Sequence, residues 1–178
     1  MFQALKSLSL KRWPWLLLAF TALLFEASGL YFQYVLNFQP CIKCIYIRAA
    51  FLGILVAGLI GAFAPSHTLG RFVANLAWLG AALYGFWQAQ ELVVIEQTLA
   101  SGGFTTCALF ADFPSWLALD RWFPAVFEVT GTCGGVSWQF ASLSMAQWSR
   151  IIMLSYSVVA VVVLASQFSR LNKNPYMD

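Results

Sequence analysis

The chain has 178 residues, of which 61% are hydrophobic and 10% charged, and its formal net charge is +3. Soluble domains average about 45–50% apolar and about 25% charged residues, so this composition excludes an ordinary soluble enzyme and puts the chain in a membrane. No nucleic acid is expected among its partners.

In chain order, Met1 to Arg12 carry Lys6, Lys11 and Arg12 ahead of an apolar run. A secretory signal has a hydrophobic core of about 7–15 residues with a small-residue cleavage site behind it. The run here is longer and contains Glu26, and Ala27-Ser28-Gly29 is a weak cleavage site, so it reads as a first membrane span. Four stretches, about residues 13–34, 45–64, 72–90 and 151–169, can each cross the ~30 Å of hydrocarbon as a helix. The expected fold is an all-α membrane protein, a four-transmembrane-helix antiparallel bundle forming a single domain over residues 1–178. Its loops on one side would cover about 35–44 and 91–150.

Between the first two spans stands Pro40-Cys41-Ile42-Lys43-Cys44-Ile45-Tyr46-Ile47-Arg48. With Pro40 in the first turn of the second helix, Cys44 and Arg48 fall one turn apart on one face. The guanidinium, the ammonium of Lys43 and the helix N-terminus would then favour thiolate at Cys44, the species that attacks disulfides. Half a zinc site is the competing reading of a C-x-x-C pair. It fails on ligands: the single His67 lies across a span, and Cys107 and Cys133 form no second close pair.

The segment 91–150 is too polar and too interrupted by Gly and Pro to span. Cys107 follows Ser101-Gly102-Gly103-Phe104-Thr105-Thr106, and Cys133 lies in Thr130-Gly131-Thr132-Cys133-Gly134-Gly135, glycine-rich settings that let a backbone move between partners. A loop-stapling disulfide and an exchanging pair are the two readings, and four cysteines permit three pairings. Between them, Phe113 to Pro124 is apolar and bounded by prolines, which suits a short helix lying flat at the lipid interface or a clamp on the bundle's end.

Basic residues set the orientation. Lys6, Lys11, Arg12, Arg71, Arg170 and Lys173 fall on one side, which should be cytoplasmic together with both termini. Lys43, Arg121 and Arg150 fall on the other, with all four cysteines, on the side where disulfides persist. Glu26 and Arg48 are the charges inside the spans and should face the bundle or a cavity. Arg48 is placed to stabilise negative charge on an electron acceptor bound beside Cys44, with snorkelling to headgroups as the alternative.

These residues resemble the DsbB family of bacterial inner-membrane disulfide-generating quinone reductases. The resemblance rests on Trp15 to Leu23, the Pro40-Cys41-x-x-Cys44-Ile45-Tyr46-x-Arg48 block, Phe104-x-Thr106-Cys107 and the Gly131-x-Cys133 region, and it covers nearly the whole chain. It implies a dithiol:quinone oxidoreductase in the inner membrane, with periplasmic cysteines, that assists the folding of other proteins. A reduced DsbA-like periplasmic oxidase would attack Cys107 of a Cys107–Cys133 disulfide, and Cys133 would pass electrons on to Cys41, releasing Cys44. Ubiquinone, or menaquinone under anaerobic conditions, would receive the electrons beside Arg48. Two local features depart from many relatives: Ile47 stands where they carry an acid before the arginine, and Leu92 follows Glu91 where they carry a His. A membrane scaffold or transporter with structural disulfides is the competing class, and a vitamin K epoxide reductase-like enzyme is a further alternative.

Overall fold

The computed structural model describes residues 2–63, 65–108, 111–134 and 138–168. Ala64, Gly135, Ser169, Arg170 and Lys173, used above for span ends, loop character and orientation, lie outside the described residues.

A short helix α1 (Phe2–Ser9) leads into α2 (Arg12–Tyr34), followed by α3 (Ile42–Phe63) and α4 (Thr68–Ala100). After a loop carrying a 3-10 turn (Ser115–Leu117), α5 (Leu119–Trp122), α6 (Pro124–Phe127) and a two-residue hairpin, β1 (Gln139–Phe140) and β2 (Leu143–Ser144), the chain closes with α7 (Met145–Gln167). The helices α2, α3 and α7 are each long and apolar enough to cross a membrane. Neighbours in sequence pack side by side, α2 on α3, α3 on α4 and α4 on α7, which makes an antiparallel membrane bundle. Tyr156 of α7 closes the ring by donating a 2.9 Å hydrogen bond to Thr21 of α2.

Two helix ends differ from the sequence expectation for local reasons. Helix α4 runs past Gln90, the expected end of the third span, to Ala100, and ends where Gly102 takes a left-handed conformation (φ 80°). That residue and Gly103 return their amides to Leu99 and Thr98, capping the last carbonyls. Glycines expected to loosen the approach to Cys107 therefore terminate a helix. The last helix starts before Ile151, at Met145, because Ser144 and Gln147 form a reciprocal capping box.

The core is built from small residues where helices meet and large ones between them. Ala22, Ile54, Ala57, Ala74, Ala82, Ala89 and Met153 are fully buried. Small side chains let backbones approach closely, which matters where lipid removes the hydrophobic drive for helix association. Trp13, Leu16, Leu17 and Phe20 instead face outward from α2, as a lipid-facing surface requires. A second apolar cluster, Ile45 of α3 with Leu119 and Phe127, fixes the α5–α6 segment to the bundle's end. Trp116, Trp122 and Phe123 of the same segment stay exposed. The segment thus clamps with one side and leaves aromatic rings exposed on the other.

Candidate active site at the cysteine end of the bundle

Pro40 cannot donate a backbone hydrogen bond and sits just outside α3, so the helix begins at Ile42 with Cys41 at its N-cap. The Cys41 carbonyl accepts the first helical bond, from Ile45 N at 3.1 Å. This moves the helix start relative to the sequence reading, which put Pro40 in the first turn, and it changes which thiol the helix end serves. The two sulfurs lie 3.0 Å apart, within hydrogen-bond distance. The Cys44 thiol, assisted by the backbone amides of Cys44 and Lys43, pulls the Cys41 pKa down to about 7 against the opposing effect of burial. Cys41, rather than the expected Cys44, is therefore the sulfur outside the span that the first turn holds acidic.

Cys107 and Cys133 are joined as a disulfide, with Cα atoms 6.0 Å apart. The loop carrying it is docked, not loose. The amides of Thr130 and Gly131 both donate to the carbonyl of Pro40, at 3.2 and 3.0 Å, immediately before Cys41. Gly131 is required by this approach, because a Cβ there would lie 2.4 Å from the carbonyl oxygen of Gln39. As a result Cys41 and Cys133 are buried in one apolar cluster, and Cys44 and Cys107 pack against it. The loop carrying the disulfide is thus tied to the residue that precedes the dithiol.

Arg48 is buried on α3 and donates three hydrogen bonds: to Gln33 Oε1 at 2.5 Å, Gly29 O at 2.8 Å and Val126 O at 2.9 Å. It joins α2, α3 and α6 rather than snorkelling toward headgroups. Only a planar, multi-donor head can reach three acceptors in different elements. Gln33, Gly29 and Val126 were not anticipated from sequence; Gln33 carried a faint signal as a polar side chain on the span preceding the cysteines. Beside Arg48 opens a cavity of about 710 Å³ lined by Phe25, Phe32, Cys44, Arg48, Phe51 and Leu92, among others. Its walls are largely aromatic and aliphatic, with a thiol and a guanidinium as its polar groups on α3. Glu26 interacts electrostatically with Arg48, but its buried carboxylate oxygens have no hydrogen-bond partner among the described residues.

A family model described as disulfide bond formation protein DsbB matches residues 11–163. The chain belongs to the DsbB family. It is 47% identical over 168 residues to a disulfide bond formation protein B of Yersinia enterocolitica, covering 94% of each chain. It is 45% identical to the Photorhabdus laumondii protein of that name, covering 94% of this chain and 98% of the relative. The Mannheimia succiniciproducens protein is 43% identical over 167 residues, 94% of this chain and 93% of its own. Family membership and the apolar helices make this a membrane protein of disulfide bond formation, with a Cys107–Cys133 disulfide and free cysteines at Cys41 and Cys44. Leu92, the departure noted after Glu91, is buried in the cavity wall, so that position supplies an apolar surface and no hydrogen bond.

Proposed function

We propose that this chain is a dithiol:quinone oxidoreductase of the bacterial inner membrane that regenerates the disulfide of a periplasmic thioredoxin-like oxidase. The observation that carries the reading is the docking of the Thr130-Gly131 amides on the Pro40 carbonyl, which seats the Cys107–Cys133 disulfide against the Cys41–Cys44 dithiol. Both termini are then cytoplasmic and all four cysteines periplasmic, on the side where the basic residues are fewer.

The entry point is the loop. Phe104 is fully exposed on an extended segment three residues before Cys107, a shape that an apolar groove on a partner protein can receive. A thiolate of the reduced partner attacks Cys107, breaking the Cys107–Cys133 bond, forming a mixed disulfide and releasing Cys133 as thiolate. The partner's second cysteine resolves that mixed disulfide and leaves oxidised, with its two electrons now on Cys107 and Cys133. Cys133 then attacks Cys41 of an oxidised Cys41–Cys44 pair and Cys44 departs as thiolate. Attack by Cys107 on Cys133 restores the loop disulfide and leaves Cys41 and Cys44 reduced, as they stand here.

The cavity fits an isoprenoid quinone: most of its wall is apolar, Cys44 lines it, and Arg48 offers hydrogen bonding there. A quinone held there would supply a two-electron, two-proton acceptor, so that the Cys41–Cys44 dithiol could close to its disulfide. Arg48 would hold such a group by hydrogen bonding, and Phe25, Phe32, Phe51 and Leu92 would give it an apolar wall. Ubiquinone would be the acceptor, with menaquinone the alternative under anaerobic conditions.

Purified protein supplied with ubiquinone and a reduced periplasmic thioredoxin-like oxidase tests the reading. Loss of the quinone's ultraviolet absorbance should match oxidation of the partner one for one. Partner oxidation that proceeds without quinone consumption would overturn it.

A further inference from the structure

Lys43, the residue between the two cysteines of the first pair, does not aim its charge at them. Its Nζ donates to Gln88 Oε1 at 3.0 Å and forms an ion pair with Glu91, both on α4. Glu91 is in turn fixed by Trp87 Nε1, which donates to its other oxygen at 2.8 Å. Gln88 and Glu91 lie about one turn apart on α4 and together accept the ammonium, while Trp87, one turn before Glu91, holds that carboxylate in place. None of this belongs to the cavity or to the loop disulfide. A pair this exposed, with Lys43 and Glu91 side chains 21% and 40% accessible, adds little to fold stability. Its position matters more. The backbone amide of Lys43 already supports the Cys41 sulfur, and an unpaired ammonium on the same residue would leave an uncompensated positive charge on the C-x-x-C turn.

We propose that Glu91, acting through Lys43, is a positioning residue that neutralises the charge inside the C-x-x-C turn and so sets the reduction potential of the Cys41–Cys44 pair. The inference deepens the redox reading of that pair and rests on it. In the exchange concerned, two glutathione thiols give two electrons and two protons to the Cys41–Cys44 disulfide, yielding two cysteine thiols and one glutathione disulfide. Positive charge near the cysteines stabilises the thiolate of the product and draws the equilibrium toward the reduced pair. Negative charge does the reverse.

The test uses the full-length protein in detergent with quinone removed, equilibrated anaerobically at about pH 8 in glutathione buffers, near the free-cysteine pKa of about 8.5. Differential alkylation and peptide mass spectrometry read Cys41–Cys44 separately from Cys107–Cys133. Glu91→Gln, which unmasks Lys43, should shift the reduced-to-oxidised ratio about threefold or more toward the dithiol, roughly half a pKa unit of thiolate stabilisation. Lys43→Gln, which leaves Glu91 bare, should shift it the opposite way. Lys43→Gln combined with Glu91→Gln should return close to the parent value, and the Cys41 alkylation rate should follow the same three signs. Shifts of the same sign in both single variants would show a merely structural clasp, and no shift in either would remove the pair from redox control; both overturn the proposal. Because neither quinone nor partner protein enters the measurement, failure here is distinct from failure of the relay, which would appear as parent protein unable to consume quinone.

Discussion

The amide of Gly131 donates to the carbonyl of Pro40 at 3.0 Å, and this bond joins the two halves of the chemistry: one residue lies two positions before Cys133, the other next to Cys41. A methyl group on Gly131 has no room, since it would meet the Gln39 carbonyl at 2.4 Å. Gly131→Ala should therefore displace the loop and slow turnover with the partner protein by about 10²-fold, the scale of effect that a misplacement of about 1 Å produces. Single-turnover reduction of Cys107–Cys133 by the partner should stay near the parent rate, because that step precedes transfer between the pairs. Stopped-flow mixing followed by alkylation separates the two steps.

Removing either loop cysteine should abolish oxidation of the partner and spare the inner pair. Cys107→Ser and Cys133→Ser proteins, given dithiothreitol in place of the partner, should still pass electrons from Cys41 and Cys44 to quinone. Full partner-dependent activity in either variant would make the Cys107–Cys133 bond a loop staple and nothing more.

Arg48 joins three elements, so its loss has two consequences. Arg48→Ala leaves the carbonyls of Gly29 and Val126 and the amide of Gln33 without their donor. A stability loss of about 3 kcal/mol is expected, read by thermal unfolding in detergent. The apparent KM for quinone should rise at least about tenfold, equivalent to roughly 1.4 kcal/mol. Arg48→Lys, with a single ammonium in place of the planar fork, should recover only part of either loss. An unchanged KM would place the quinone elsewhere.

Cys41 gives the pH dependence. Its pKa falls from the ordinary 9.0 to about 7 because the Cys44 thiol and the first-turn amides stabilise the thiolate. A thiol whose folded-state pKa is depressed contributes stability that is fully present above its unfolded value and is lost as pH falls through the folded one. The reduced protein should therefore become more stable between about pH 7 and 9, and the oxidised protein, lacking this group, should not. Alkylation of Cys41 by iodoacetamide should show a midpoint near 7. A midpoint near the free-cysteine value of about 8.5 would remove the first turn as the source of its acidity.

Composition and hydrophobic run length alone specified a membrane helix bundle, because a bilayer leaves a chain this apolar few other ways to satisfy its backbone. The Pro40-Cys41-x-x-Cys44 block and the two later cysteines likewise marked a thiol site and its family without any coordinates. What needed the fold was every relation between distant segments. Cysteine spacing could not choose among three pairings, and the family resemblance alone implied Cys107–Cys133; the tertiary structure joins those two and ties their loop to the carbonyl of Pro40, next to Cys41. Local spacing put Lys43 and Arg48 beside Cys44, yet Lys43 turns to Glu91 and Gln88, and Arg48 to Gln33, Gly29 and Val126. The physical reason is that a charged side chain in an apolar bundle goes to whichever acceptors the neighbouring helices bring within reach, and those acceptors lie from 15 to 78 residues away along the chain.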